Sequence, residues 1–369
     1  MTSMLPAIPA TLGNLKDVFR SAELSVLGQP NPLQLDPVKS AIVIMVDGLG
    51  SNNLAANSSV APFMTGCKTQ VLHSGFPSTT VVSIVSFATG KPSSENGMFG
   101  YKIFDRELAE PVNLLSGVDK YSVLDYAQSA PISETSTLEV HAVTLSEYAE
   151  SGMTRATMHN ATHHFADSIA GRLTIANELV LQPGRLVYVY IPELDQTAHK
   201  FGVASSNWQE LLSELDESLA AFANRVPSDV GVLLTADHGI VDVPTERHIY
   251  LDLISELDNQ VLDVGGDPRV PFIYLKPGAK TSLIREAIQD YCSDRAVVFT
   301  VSEAIDHGLW SSQLLQLSHL LPDLIVMAIR DVALYHRDFA RATSLKMIGQ
   351  HGALSQTEIE IPLVRLGAF

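Results

Sequence analysis

Cysteine is almost missing from this chain. Cys67 and Cys292 are the only two and lie far apart, which excludes a disulfide framework and a thiolate metal cluster. Basic residues are scarce as well. Lys and Arg number 24 against 41 Asp and Glu, a formal charge of −17. That balance argues against nucleic acid as a bulk partner, because phosphate backbones select basic faces. It also repels small anions unless something local, such as a bound pair of metal ions, reverses the field. No stretch approaches ~18 unbroken apolar residues, so no simple membrane span and no membrane partner are expected. The first residues lack a basic segment followed by an apolar one, so no signal peptide is expected and the expected location is cytoplasmic. Asn57-Ser58-Ser59 and Asn160-Ala161-Thr162 match glycosylation acceptors, but without secretion the match carries nothing. Repeats, low-complexity tracts and a clear linker are absent too, so one domain over residues 1–369 with insertions is the expected plan.

What is present is a chain 46% hydrophobic and 18% charged, a composition of soluble globular proteins with ample core. Residues 1–38 read as a peripheral lead-in with a short helix at 12–20. Ala41 to Val46 is apolar on both faces, as in a central strand of a covered parallel sheet, and it ends in Asp47-Gly48-Leu49-Gly50. Asp47 thus sits at a strand's C-terminal edge, where open α/β sheets place ligands. Leu186 to Ile191 repeats the pattern and leads to Asp195 and His199; a helix at 207–224 follows. Val230 to Leu234 does so again, leading to Asp237, His238 and Gly239.

Residues 93–180 are less regular and read as insertions, with helical stretches at 121–127, 144–148 and 167–181. Strand (270–275), helix (282–291) and strand (296–300) suggest a small α+β lid inserted at about 245–320. A further buried strand is expected at 323–329, then Gly349-Gln350-His351-Gly352-Ala353 and a short C-terminal strand.

The hydroxyl-rich stretch lies between the first and second of these strands. Ser74, Ser78, Thr79 and Thr80 surround Gly75-Phe76-Pro77, and Val81 to Phe87 then supply an apolar run closed by Ala88 and Gly90. The run reads as a buried helix. A hydroxyl at its mouth meets unpaired backbone N–H groups and the positive end of the helix dipole. Such a place can hold a phosphate or activate an attacking alcohol, or it can be a plain N-cap. Asp195 and His199, spaced i, i+4, can share one face of a helix. Asp and neutral His are ligands that Zn²⁺ or Mn²⁺ sites use.

Val46-Asp47-Gly48, Phe76-Pro77-Ser78-Thr79-Thr80 to Ala88-Thr89-Gly90, Asp195-x-x-x-His199, Thr235-Ala236-Asp237-His238-Gly239 and Gln350-His351-Gly352 occur in that order. Together they resemble the nucleotide pyrophosphatase/phosphodiesterase family of the alkaline phosphatase superfamily. The resemblance implies an alkaline-phosphatase-like α/β fold, a mostly parallel central sheet flanked by helices. It implies two divalent metal ions, Zn²⁺ first with Mn²⁺ as the alternative. One would be held by Asp195, His199 and His351, the other by Asp47, Asp237 and His238 with the nucleophile's oxygen. In the family the nucleophile lies three residues after the proline and ten before the closing glycine. From Pro77 and Gly90 both counts give Thr80, with Thr79 and then Ser78 behind it. The implied reaction is hydrolysis of a small phosphate ester, a nucleotide among the candidates, through a phosphothreonine.

Two positions depart from the family pattern. Ser83 stands where many members carry an asparagine that helps hold a phosphoryl oxygen, and Ala198 where a glycine is common before the histidine ligand. Cys67-Lys68-Thr69-Gln70 lacks the context of the sulfatase branch. A phosphomonoesterase or phosphonate hydrolase of the same superfamily remains an alternative, as does a non-catalytic metal-binding relative. Asp306-His307-Gly308 repeats a site string but reads as a helical surface, and His159, His163 and His164 read as rim or solvated residues. His248 is left outside the site.

Overall fold

The computed structural model describes residue 8 and residues 13–115, 126–149 and 151–369. Three strands buried on both faces form the middle of an eight-stranded sheet: Val230–Thr235, Ser40–Val46 and Arg185–Ile191, in that spatial order and mutually parallel. The sheet continues on one side through Glu139–Thr144 to Thr162–Phe165, both parallel. On the other side come Glu360–Gly367, Lys68–His73 and Gly13–Asn14. Only Glu360–Gly367 runs against the rest. Parallel neighbours need crossovers, which here include helices Ile169–Leu179 and Ser206–Ala223.

Two strands of this sheet fall where insertions were expected, so residues 93–180 are partly framework. Glu139–Thr144 has five consecutive buried residues. Thr162–Phe165 is a short polar strand at the sheet's edge, a common way to blunt an exposed edge. The expected helix at 144–148 is instead the end of a strand followed by a 3₁₀ turn at Ser146–Tyr148. The first helix runs later and longer than expected, Lys16–Val26, after Asn14 accepts a bond from the Lys16 N–H. Most of the expected helix at 121–127 lies outside the described residues. Among the described residues no helix is long and apolar enough to cross a membrane.

A second, four-stranded sheet has the order Val261–Asp267, Val270–Leu275, Leu324–Ala328, Ala296–Phe299, all antiparallel. Helix Thr281–Cys292 packs on it. Its third strand lies beyond residue 320, so the unit extends past the boundary expected from sequence. The helix Thr80–Thr89 sits between the two sheets, and all ten of its residues are buried. Phe87 and Ala88 join the core of the large sheet, and Val81, Ile84 and Val85 pack with Phe272, Phe299 and Trp310. A helix buried on every face belongs in such a place. It stops at Gly90, whose φ of +68° closes the helix in the left-handed conformation glycine tolerates best.

One buried ion pair ties the second sheet to the C-terminal segment. Arg269 sits in the two-residue turn between Val261–Asp267 and Val270–Leu275. Its guanidinium grips Glu358 through two hydrogen bonds, at 3.0 and 2.7 Å. Both side chains are almost fully buried, and Glu358 also accepts the Ala353 N–H at 2.9 Å. Arg269→Met would leave a buried carboxylate without its cation. It is expected to cost about 3–5 kcal/mol of unfolding free energy. The double variant Arg269→Met/Glu358→Leu is expected to cost less than the two single changes summed. Urea unfolding of the four proteins of that cycle checks it; additive losses would mean that the pair does not act as a unit.

Candidate active site

The C-terminal ends of the three central strands bring the acidic residues together. Asp47 follows Ser40–Val46 directly, and its N–H continues the ladder to Ile191 O at 2.9 Å. Asp237 lies two residues beyond Val230–Thr235, and its Oδ1 accepts the N–H groups of Gly48 and His238, each at 3.0 Å. Gly239 allows this turn to close against the chain. A Cβ there would stand 2.0 Å from Thr357 O, so no larger residue fits without moving the backbone. Asn53 holds the same turn from the side, bonding both the N–H and the carbonyl of Ile240. Asp195 and His199 lie one turn apart on helix Glu193–Phe201, with 3.3 Å between His199 Nε2 and Asp195 Oδ2. His351 arrives from the short strand Gly349–Gln350.

Five of the six candidate ligands fall in two groups of close ligand atoms, and the sixth, His199, stands beside them. Asp47, Asp237 and His238 form one group of mutually close ligand atoms, and Asp195, His238 and His351 form another. His238 is common to both. Its Nε2 is 3.5 Å from Asp47 Oδ1 and 3.4 Å from Asp237 Oδ2, and its ring stacks on that of His351 with centroids 3.7 Å apart. His199 stands on the His351 side, 5.3 Å between ring centroids.

The side chains fit divalent cations on three counts. First, Asp47 Oδ1, Asp195 Oδ1 and Asp237 Oδ2 are buried without a hydrogen-bond partner, which is costly for carboxylates unless a cation joins them. Second, each histidine turns Nδ1 to a backbone carbonyl: His199 to Gly349 at 2.7 Å, His351 to Ser78 at 3.0 Å and His238 to Gly239 at 3.3 Å. That orients each ring and leaves its Nε2 available, as is typical of metal-binding histidines. Third, the charge states suit ligation. Burial drives His238 down to about 4 and His351 well below the usual histidine range, so both rings are neutral. Burial and then the neighbouring acids push Asp47 up, and burial with Asp195 lifts Asp237 to about 7. Like charges crowded this way call for a cation.

Thr80 is the first residue of its helix, and its Oγ1 lies 3.2 Å from His238 Nε2. Its two neighbours are committed elsewhere. Ser78 donates to Ala353 O at 2.7 Å and accepts the Gly352 N–H at 3.2 Å, which staples the hydroxyl turn to the His351 loop. Thr79 donates to Asp267 Oδ1 at 3.4 Å. A cavity of about 1100 Å³ opens above the group, lined by Asp47, Thr80, Asp195, His199 and His351 among others.

The sequence model of the type I phosphodiesterase / nucleotide pyrophosphatase family matches residues 41–354. The chain belongs to this family. Solved structures agree on the fold. Murine ectonucleotide pyrophosphatase / phosphodiesterase 5, an inactive form in complex with AMP, superposes with a TM-score of 0.68 at 16% identity, over 89% of this chain and 88% of that one. The human counterpart gives 0.66 at 17% identity, over 89% and 87%. Phosphonoacetate hydrolase from Sinorhizobium meliloti, in complex with phosphonoformate, gives 0.67 at 18% identity, over 89% and 90%. No curated protein matches the sequence. The fold is alkaline-phosphatase-like, of the α/β class, and membership supports phosphoester hydrolysis.

The histidines of this phosphodiesterase-family chain that the sequence analysis set aside do not line the cavity, whereas His336 does. His307 is exposed at the end of helix Val301–Asp306, and His159 is exposed too. His163 and His164 lie on the edge strand Thr162–Phe165, so their spacing from His159 is not helical; His164 instead bonds His141 at 3.1 Å. His248 lies on the short strand His248–Tyr250 paired with Ala333–Tyr335. Two cavity residues were not recognised from sequence. Tyr190 donates its hydroxyl to Asp47 Oδ2, and the alternation Tyr188-Val189-Tyr190 in a central strand was the available signal. Asp267 ends a strand whose Gly265-Gly266 gave no strand signature.

Proposed function

We propose that this protein hydrolyses phosphodiester or pyrophosphate bonds of small molecules through a phosphothreonine at Thr80. The observation that carries the reading is Thr80 Oγ1, 3.2 Å from the histidine shared by two Asp/His groups, in a chain of the phosphodiesterase family. Asp195, His199 and His351 would hold one divalent cation, and Asp47, Asp237 and His238 the other, with Zn²⁺ preferred by the Asp/His donor set. Bound there, the cations would supply Lewis acidity to the oxygens that gain charge and lower the pKa of the attacking hydroxyl.

The chain's own groups do the positioning. Packing between two cores fixes the helix start, and Ser78 pins its turn to the His351 loop, so Thr80 is held in one place against the substrate. Its oxygen attacks phosphorus in line, the bond to the leaving oxygen breaks, and water then releases the phosphoryl group. The N–H groups at the start of the ten-residue helix would be available as donors to the phosphoryl oxygens. Tyr190, kept protonated by burial and by Asp47, holds Asp47 by one oxygen and leaves the other for a cation.

Turnover of bis(p-nitrophenyl) phosphate against p-nitrophenyl phosphate, with Zn²⁺ or Mn²⁺ supplied, tests the reading. The diester is expected to be the faster substrate. A faster monoester would move the assignment to a phosphomonoesterase, and turnover of a phosphonate alone to a phosphonate hydrolase.

A further inference from the structure

Asp267 is a buried acid for which the mechanism has no use. It is 8% exposed, its Oδ1 accepts from Thr79, and its Oδ2 has no hydrogen-bond partner. It lines the cavity beside Thr79, the residue next to the proposed nucleophile. Gly265, Gly266 and Pro268 flank it on the same wall, and they put no side-chain donor beside the free oxygen. Two basic residues of the same region are engaged elsewhere, and the ionisable groups that act on Asp267 are His199 and Asp195 of the proposed metal site. Arg269, two residues on, is bonded to Glu358 and to the carbonyls of Arg330 and Val332. Lys102 is paired with Asp263 at 2.8 Å and with Val264 O. Among the described residues no ion pair includes Asp267. Its place is also rigid: Asp267 pairs with Val270 across the two-residue turn that the Arg269–Glu358 pair anchors.

We propose that Asp267 determines substrate charge, its unpaired carboxylate disfavouring phosphate dianions at Thr80 and thereby selecting diesters over monoesters. This rests on the reading of Thr80 as the phosphoryl-accepting residue. A diester presents one negative charge around phosphorus and a monoester two at alkaline pH. A fixed carboxylate in a partly dry wall acts twice on the second, because charge repulsion is strong where water is excluded. Selection by a repulsive group is a general route to specificity. Lys102, Arg155 and Arg341 also line the cavity, but their field acts equally in wild type and in an Asp267 variant, so a comparison between the two isolates Asp267.

The test uses the metal-loaded full chain at about pH 9, well above the ordinary carboxyl range and where a phosphate monoester is a dianion. In Asp267→Asn, the ratio of kcat/KM for p-nitrophenyl phosphate to that for bis(p-nitrophenyl) phosphate is expected to rise on the order of 10-fold. Thr79→Val removes the hydrogen bond but keeps the charge, so its ratio is expected to stay at the wild-type value. A binding measurement stands apart from turnover. By calorimetry in the Thr80→Ala background, Asp267→Asn is expected to tighten inorganic phosphate on the order of 10-fold relative to dimethyl phosphate. An unchanged ratio in both measurements overturns the proposal, as does a Thr79→Val ratio that moves with Asp267→Asn. Absence of turnover in the wild type would count against the hydrolase reading; the binding ratio still decides the role of Asp267.

Discussion

Thr80→Ala is expected to lose on the order of 10³-fold or more in phosphodiester turnover while the protein stays folded and binds metal. Six other candidate ligands remain, and the truncated side chain still fits the first position of a helix. Without the hydroxyl only slow direct attack by water survives. Thr80→Ser keeps the oxygen but loses the β-branch that restricts its rotamers, so part of the rate is expected to persist. The neighbours behave differently because the structure gives them other partners. Thr79→Ala loses a bond to Asp267, an effect of ~1 kcal/mol. Ser78→Ala leaves the Ala353 carbonyl and the Gly352 N–H without their partner. It is expected to lower stability by about 1–3 kcal/mol, with far less effect on the chemical step than Thr80→Ala. Burst kinetics and denaturant unfolding on the four variants separate these outcomes. A dead Thr79→Ala beside a nearly wild-type Thr80→Ala would shift the nucleophile by one residue.

The Asp/His half of the candidate site was legible because its information is local. Apolar runs marked the central strands, and in a parallel sheet every such strand delivers its following residues to the same edge. Asp47 and Asp237 lie within two residues of those strand ends, and Asp195 and His199 need only helical periodicity. His351 follows a two-residue strand that no pattern announces, and the family motif alone located it. What stayed hidden depends on contacts between distant parts of the chain. Thr162–Phe165 has no apolar alternation because an edge strand does not need one. Val261–Asp267 carries two glycines within a strand, which leave it without a strand signature. Glu358 and Arg269 are ordinary charged residues in the sequence; only the fold buries them against each other. Asp267 was missed for the same reason.

Chelation is expected to remove both turnover and anion binding from this protein. Without cations the site holds three buried acids, Asp47, Asp195 and Asp237, in a chain of net charge −17. Such a place repels phosphate, and two divalent ions would reverse its sign. The same argument predicts a stability change that can be read without substrate. Ions that bind only the folded chain stabilise it by about 2.7 kcal/mol at a hundred times their Kd, so the Tm should fall in EDTA and climb with added Zn²⁺. Asp237→Asn removes one candidate ligand charge while its amide oxygen can still accept from Gly48 and His238. It is expected to weaken metal binding, and with it the Zn²⁺-dependent rise in Tm, without unfolding the turn. Calorimetric titration of phosphate with and without EDTA, beside thermal melts of both proteins, measures all of this. Phosphate affinity and Tm both unchanged by chelator would take the metals out of the site and leave Thr80 without the positive field that its attack on an anion requires.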